Sequence, residues 1–235
     1  DVLANRNYAI YWTAAFISNV GSFMQTLGVA FVLRHVTGKD AWVGAGVFAA
    51  MIPALLVGPL AGPFCDRFDR RHILLWANLV QAIAAVGLFL LSLTDSLTPW
   101  RMVGLLVFAG LGAGFQYAAA QAIVSLMVPP EHLLQGVRVY AVGFNTARAV
   151  GPALAGLVLD VWGTTTTFAL NAVSFGVVLA GLAVVRIRPA LKPATRRTVR
   201  AEFADGVRYS WRHRSMELCM YTALAMTLFG ASVAQ

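Results

Sequence analysis

Between Trp42 and Phe64, and again between Ile73 and Thr94, the chain carries no ionisable side chain, yet Asp66, Arg67, Asp69, Arg70 and Arg71 crowd into the turn between them. Each run reaches the roughly 20 apolar residues that cross a bilayer, and a lipid-exposed helix could not hold the charge cluster. The pair therefore reads as two spanning helices joined by a tight charged hairpin. Only 12% of residues are charged and 59% are hydrophobic, against roughly 25% charged in a soluble domain, so a soluble surface cannot be built.

Six spanning segments follow on this criterion: Tyr8–Leu33, Trp42–Phe64, Ile73–Thr94, Pro99–Val128, Val137–Val161 and Thr166–Val185. The organisation expected is a six-helix bundle over 1–185, a basic connecting loop over 186–215, and the start of a seventh helix over 216–235. In the loop, Val199, Phe203, Val207 and Trp211 recur every fourth residue among basic positions, the pattern of a helix lying on a membrane surface. The chain begins without Met and stops inside an apolar run, so a longer protein with a second bundle is expected.

Basic residues fix the expected orientation. Fourteen Lys and Arg fall on the side of Arg6, the hairpin, Arg138 and the long loop, against Arg34, Lys39 and Arg101 on the other. The positive-inside rule puts the N-terminus, hairpin and loop in the cytoplasm of a multi-pass protein of the cell membrane. It also explains the net charge of +8 without nucleic acid as a partner. Tyr8, Tyr11, Trp12, Trp42, Trp100 and Trp162 sit where interfacial anchors are expected. No nucleophile–base pair, phosphate loop or metal-ligand spacing occurs, so neither an enzyme nor a metal or cofactor site is expected. Cys65 and Cys219 read as small packing residues, and His35, His72, His132 and His213 as loop residues without a role.

Gly58-Pro-Leu-Ala-Gly62 precedes Asp66 much as Gly151-Pro-Ala-Leu-Ala-Gly156 precedes Asp160. The two copies lie in segments two and five, which point opposite ways, as inverted three-helix repeats require. Asp66, at a helix C-terminus where the macrodipole disfavours an anion, calls for cationic partners, and Arg67, Arg70 and Arg71 are close in sequence. Gly143, Gly151, Pro152 and Gly156 suit close helix approach and a bend. Arg148, alone at membrane depth, has three readings: contact with an anionic substrate, pairing with a carboxylate of the second bundle, or snorkelling to the surface. Asn19, Ser22 and Gln25 in segment one with Gln116, Tyr117 and Gln121 in segment four are deep enough to line a cavity as one polar, uncharged wall, although each taken singly reads more readily as a hydrogen-bond partner of a neighbouring helix; Asn145 lies one turn from Arg148 on nearly the same face.

Together these motifs resemble the major facilitator superfamily. Gly62-x-x-x-Asp66-Arg67-x-x-Arg70-Arg71 is similar to its loop signature between helices two and three, and Gly151-Pro152-x-x-Ala155-Gly156 to the helix-five signature of its drug antiporters. Asn5-Arg6-Asn7-Tyr8, Asp69 in the hairpin, Val128-Pro129 and Asn145-x-Ala147-Arg148 resemble the exporter branch that includes enterobactin-type siderophore exporters and macrolide-efflux proteins. The resemblance implies the N-terminal half of a twelve-helix, all-α exporter that moves a small amphipathic molecule by rocking-bundle alternating access as a proton antiporter. In such proteins the hairpin latches the cytoplasmic side. Members of that branch often carry an acid at the place of Ser22, an acid near Gln116 and an Arg at the place of Ala120. None is present here, so a coupling carboxylate is either Asp160, a residue of the second bundle, or absent. The competing expectation is a transport-inactive sensor or assembly subunit that kept the fold.

Overall fold

The computed structural model of the chain describes residues 2–185 and the helical positions 218, 221 and 222, with Asp66 described by its backbone alone. The chain divides into two compact units, Asp1–Lys192 and Pro193–Gln235; all that follows concerns the first. The amphipathic segment Val199–Trp211 expected from the sequence lies outside the described residues, as does the expected seventh helix apart from those three positions.

Among the described residues, five helices are long and apolar enough to cross a membrane: α1 (Arg6–Thr37), α2 (Asp40–Arg67), α3 (Arg70–Leu93), α4 (Pro99–Met127) and α5 (Leu133–Val184). Local chemistry sets their ends. Asn5 caps α1 by accepting hydrogen bonds from the N–H groups of Asn7 and Tyr8, Asp69 caps α3 through Arg71 N–H, and Pro99 opens α4, where its missing N–H costs nothing.

The fifth and sixth expected segments are two helices that abut at Gly163 without a loop and are written together as α5. A straight α5 would extend about 78 Å at 1.5 Å per residue, far beyond a bilayer, and the only non-helical backbone within it is Gly163, at φ 75° and ψ −178°. Glycine alone adopts that region without penalty. The helix resumes immediately after Gly163, with the Thr166 and Thr167 hydroxyls donating back to the carbonyls of Trp162 and Gly163, so the expected connection Trp162–Thr165 contributes a break of one residue and no loop.

Contacts along α1 show that the chain reverses there. The Tyr8 hydroxyl donates to the Gly136 carbonyl at 2.7 Å and Trp12 Nε1 to the Val139 carbonyl at 3.0 Å, while Gly151 packs on Val20 and Phe23; the first arm, 133–162, therefore runs with α1. Gly28 faces Thr167, Gly21 faces Asn171 and Ser174, and Gly181 faces Ala14; the second arm, 164–184, runs against it. Helix α4 repeats the scheme, parallel to α2 (Gly110 on Ala50, Gly114 on Ala54) and antiparallel to α3 (Gly87 on Leu105, Gly112 on Ala77). Exchanging α1, α2 and α3 with α4, the first arm and the second arm reproduces each of these helix pairings and its direction. The fold is an all-α bundle of six membrane crossings in two inverted three-helix units, as the motif pair in segments two and five led us to expect.

Two apolar cores hold the ends of the bundle. At the hairpin end Tyr8, Tyr11, Ile123, Val124, Phe175 and Leu182 pack together; at the far end Leu33, Leu88, Met102 and Phe168 do. Tyr8 and Tyr11 are thus buried in the bundle rather than placed as interfacial anchors, whereas Trp100 and Trp162 are exposed and Trp42 packs edge-on against Trp100.

Candidate functional site

A cavity of about 570 Å³ opens between α1, α2 and the first arm. Phe23, Val29, Val47, Met51 and Phe144 make it largely apolar, and Gln25, Thr26 and Arg148 supply its polar groups, with Pro152 on the same wall. Arg148 is exposed. The ion pairs among the described residues are Arg34–Asp40 at 3.0 Å and Asp69–His72 at 3.3 Å, so no described carboxylate neutralises it. Asp160 is exposed on the first arm and belongs to neither pair.

The candidate polar residues do not form one wall. Gln25 and Arg148 meet in the cavity. Ser22 donates back to the Ser18 carbonyl and Asn145 to that of Ala141, each closing on its own helix, and Asn19 is half-buried. Gln116 turns into the α3–α4 seam, accepting from Gln81 at 2.7 Å and donating to Asn78 at 3.3 Å. Tyr117 and Gln121 are exposed on α4 and lie away from the lining of this cavity.

Two fully buried residues absent from the candidates above, Asn78 and Asn171, occupy matching places in the repeat. Asn171 Nδ2 donates to Gln25 Oε1 at 2.7 Å, as Asn78 Oδ1 accepts from Gln116. Each pair sits beside a helix glycine one turn before the glutamine, Gly21 in α1 and Gly112 in α4. The recurring Gly-x-x-x-Gln in α1 and α4 was the available signal.

At the hairpin, Arg71 Nε and Nη2 donate to the carbonyls of Leu182 and Ala183 at 3.0 and 2.7 Å, satisfying the last turn of α5, where orphan carbonyls and the dipole favour a cation. Arg70 donates to the carbonyls of Cys65 and Ala122, tying the ends of α2 and α4, and Asn5 Nδ2 donates to the Met127 carbonyl. Arg67 is exposed, and Asp66 falls in the last turn of α2, its side chain outside the described residues. The hairpin therefore binds three helix C-termini within this bundle, a job that sequence alone had not assigned to it.

The glycines of the two motifs divide. A Cβ at Gly143 would lie 2.8 Å from Trp12 Nε1, and at Gly151 2.5 Å from Phe23 Cβ and 3.0 Å from the Val20 carbonyl, whereas Gly58, Gly62 and Gly156 face open space. Close packing inside the bundle accounts for the first two; among the described residues nothing packs on the other three.

Residues 2–235 match the family described as "Transmembrane secretion effector". Curated relatives include "Macrolide efflux protein A" of Streptococcus pyogenes, 26% identical over 75% of this chain and 43% of that protein. The "Staphyloferrin A transporter" of Staphylococcus aureus is 23% identical over 70% and 42%, and the "Multidrug efflux pump Tap" of Mycobacterium bovis 28% identical over 91% and 53%. The chain spans about half the length of the curated relatives it matches.

Proposed function

The chain belongs to the transmembrane secretion effector family of the major facilitator superfamily, and from that premise we propose that it supplies the first bundle of an exporter for a small amphipathic molecule. It is an integral membrane protein of a transporter family. The observation that carries the finer reading is the α1–α2–first-arm cavity, mostly apolar and lined by Arg148, which pairs with no carboxylate among the described residues. A lipid-facing groove would have no use for Arg148, whose burial in hydrocarbon is costly.

In this reading a second bundle closes the cavity, and the two halves rock about it, with the hairpin end in the cytoplasm. Gly58, Gly62 and Gly156, open on this bundle, face the second one, and Asp66 with Arg67 grips it when the cytoplasmic side is shut. Arg70 and Arg71 hold the hairpin to its own bundle so that the grip moves as a unit. The proton gradient drives export through Asp160 or a carboxylate of the second bundle. The reading as a transport-inactive subunit draws no support from the relatives, each of which is named for transport or efflux.

The test is efflux of fluorescent amphipathic compounds from cells producing the full-length protein. Asp66→Asn is expected to keep membrane insertion and lose most of the efflux, and Gly62→Leu and Gly156→Leu to lower efflux while leaving the detergent-solubilised melting midpoint within about 2 °C, since surface changes are usually within ±0.5 kcal/mol. Full efflux in all three variants would contradict the latch and the bundle interface.

A further inference from the structure

We infer that the cavity beside Arg148 takes an amphipathic anion, and that Asn171 is a positioning residue that turns Gln25 into its second hydrogen-bond donor; this rests on the cavity being the transport site proposed above. Arg148 presents only donors. Gln25 could offer either its carbonyl or its amide, but its Oε1 already accepts from Asn171 Nδ2 at 2.7 Å, which leaves the Nε2 protons for the cavity. Asn171 is itself fully buried, and Ser174 Oγ, which donates to the Asn171 backbone carbonyl at 2.8 Å, also lies 3.2 Å from its Oδ1. Thr26 spends its hydroxyl proton on the Ser22 carbonyl. Among the described lining residues there is no carboxylate.

Position argues against snorkelling. Gly151 packs at Val20 and Met24, in the middle of α1, so Arg148, one turn earlier in the first arm, starts near mid-depth. A guanidinium in an apolar cavity repels a cationic head and makes short charge-assisted bonds to a carboxylate, sulfonate or phosphate. Phe23, Phe144 and Met51 suit the hydrocarbon or aromatic body of the same molecule, and the volume of about 570 Å³ is that of a drug-sized ligand site. Gly21 completes the device, because a Cβ there would run into Ser174 Oγ and Asn171 Oδ1.

Three probes that share a dansyl fluorophore and a short alkyl spacer, ending in a carboxylate, a methyl ester or a trimethylammonium group, separate the possibilities. Their Kd values are measured on the full-length protein in lipid nanodiscs, and their export in cells. The carboxylate should bind at least about tenfold more tightly than the ammonium. Arg148→Gln should weaken the carboxylate about tenfold and leave the ester within about twofold, with Arg148→Lys restoring part of the loss. Gln25→Glu should weaken the carboxylate and favour the ammonium. Asn171→Ser should weaken the carboxylate about threefold with the ester unchanged; Gln25→Met, which keeps the shape and removes the donors, provides a second readout, taken together with the melting midpoint because it also removes the acceptor of Asn171 Nδ2. An ammonium that binds as tightly as the carboxylate, or an Arg148→Gln loss shared equally by all heads, overturns the inference. If ester and ammonium are exported and the carboxylate is not, export stands and the anion site falls; if no head binds or is exported, both fall.

Discussion

Gly110→Leu is expected to abolish recovery of folded protein. The Cβ of any residue at this position would collide with the Ala50 carbonyl oxygen and approach the Ala50 carbonyl carbon to 3.1 Å, and four residues on a Cβ at Gly114 would lie 2.9 Å from the Ala54 carbonyl oxygen. These neighbours are backbone, so neither helix can yield by rotating a side chain. In lipid no hydrophobic force pulls two helices together; packing at small residues and polar bonds does it. Overpacking a side chain usually costs about 1–3 kcal/mol, and a leucine wedged between two backbones should separate α2 from α4 along their length. Fluorescence-detected size exclusion of the detergent-solubilised protein checks this: aggregate or no peak for Gly110→Leu, a peak with a lowered melting midpoint for Gly110→Ala. A monodisperse leucine variant melting like the wild type would show that the helices do not meet at Gly110.

Gly151→Leu should remove efflux by a different route. Its Cβ would strike Phe23 Cβ at 2.5 Å and lie 3.0 Å from the Val20 carbonyl, so the first arm must move off α1 at the turn that carries Pro152 and, one turn earlier, Arg148. Both line the cavity, so the lesion deforms the cavity wall while the α2–α4 and α3–α4 seams stay intact. We expect the variant to insert and purify with a melting midpoint several degrees lower, in line with a cost of about 1–3 kcal/mol, and to export nothing measurable. Because Gly156 meets open space, Gly156→Leu should separate from it by keeping wild-type stability. Equal stability loss at the two positions would mean that the first arm packs differently from the arrangement described.

Depth in the membrane was legible in the sequence and rotation about the helix was not. Runs without ionisable groups located the spans, because a charge is costly in lipid wherever it points. The same reasoning put Gln25, Gln116, Tyr117 and Gln121 into one polar wall, since it says how deep a residue lies and nothing about which neighbour it faces. Gln25 reaches the cavity, Gln116 the α3–α4 seam. The reversal at Gly163 was readable as a boundary between apolar runs, but not as a single-residue break, because Thr166 and Thr167 look like loop residues until their hydroxyls are seen closing on the helix. Arg70 and Arg71 were visible as topology markers and latch candidates; their bonds to helix ends from Cys65, Ala122, Leu182 and Ala183 join parts of the chain that no local pattern connects. Asn78 and Asn171 were passed over for the same reason, since an isolated amide in an apolar run shows its purpose only through its partner on another helix.

Transport as proposed requires that the α1–α2–first-arm cavity open to the two sides of the membrane in turn. Thr26, exposed in that cavity, is the place to ask, through Thr26→Cys in the full-length protein with Cys65 and Cys219 replaced by serine. A membrane-impermeant thiol reagent is applied to right-side-out and to inverted vesicles, with and without a proton gradient. We predict labelling from both sides, with the balance shifting when the gradient is imposed and Asp66→Asn holding it toward one side. Labelling from one side only, unchanged by the gradient and by Asp66→Asn, would contradict alternating access through this cavity.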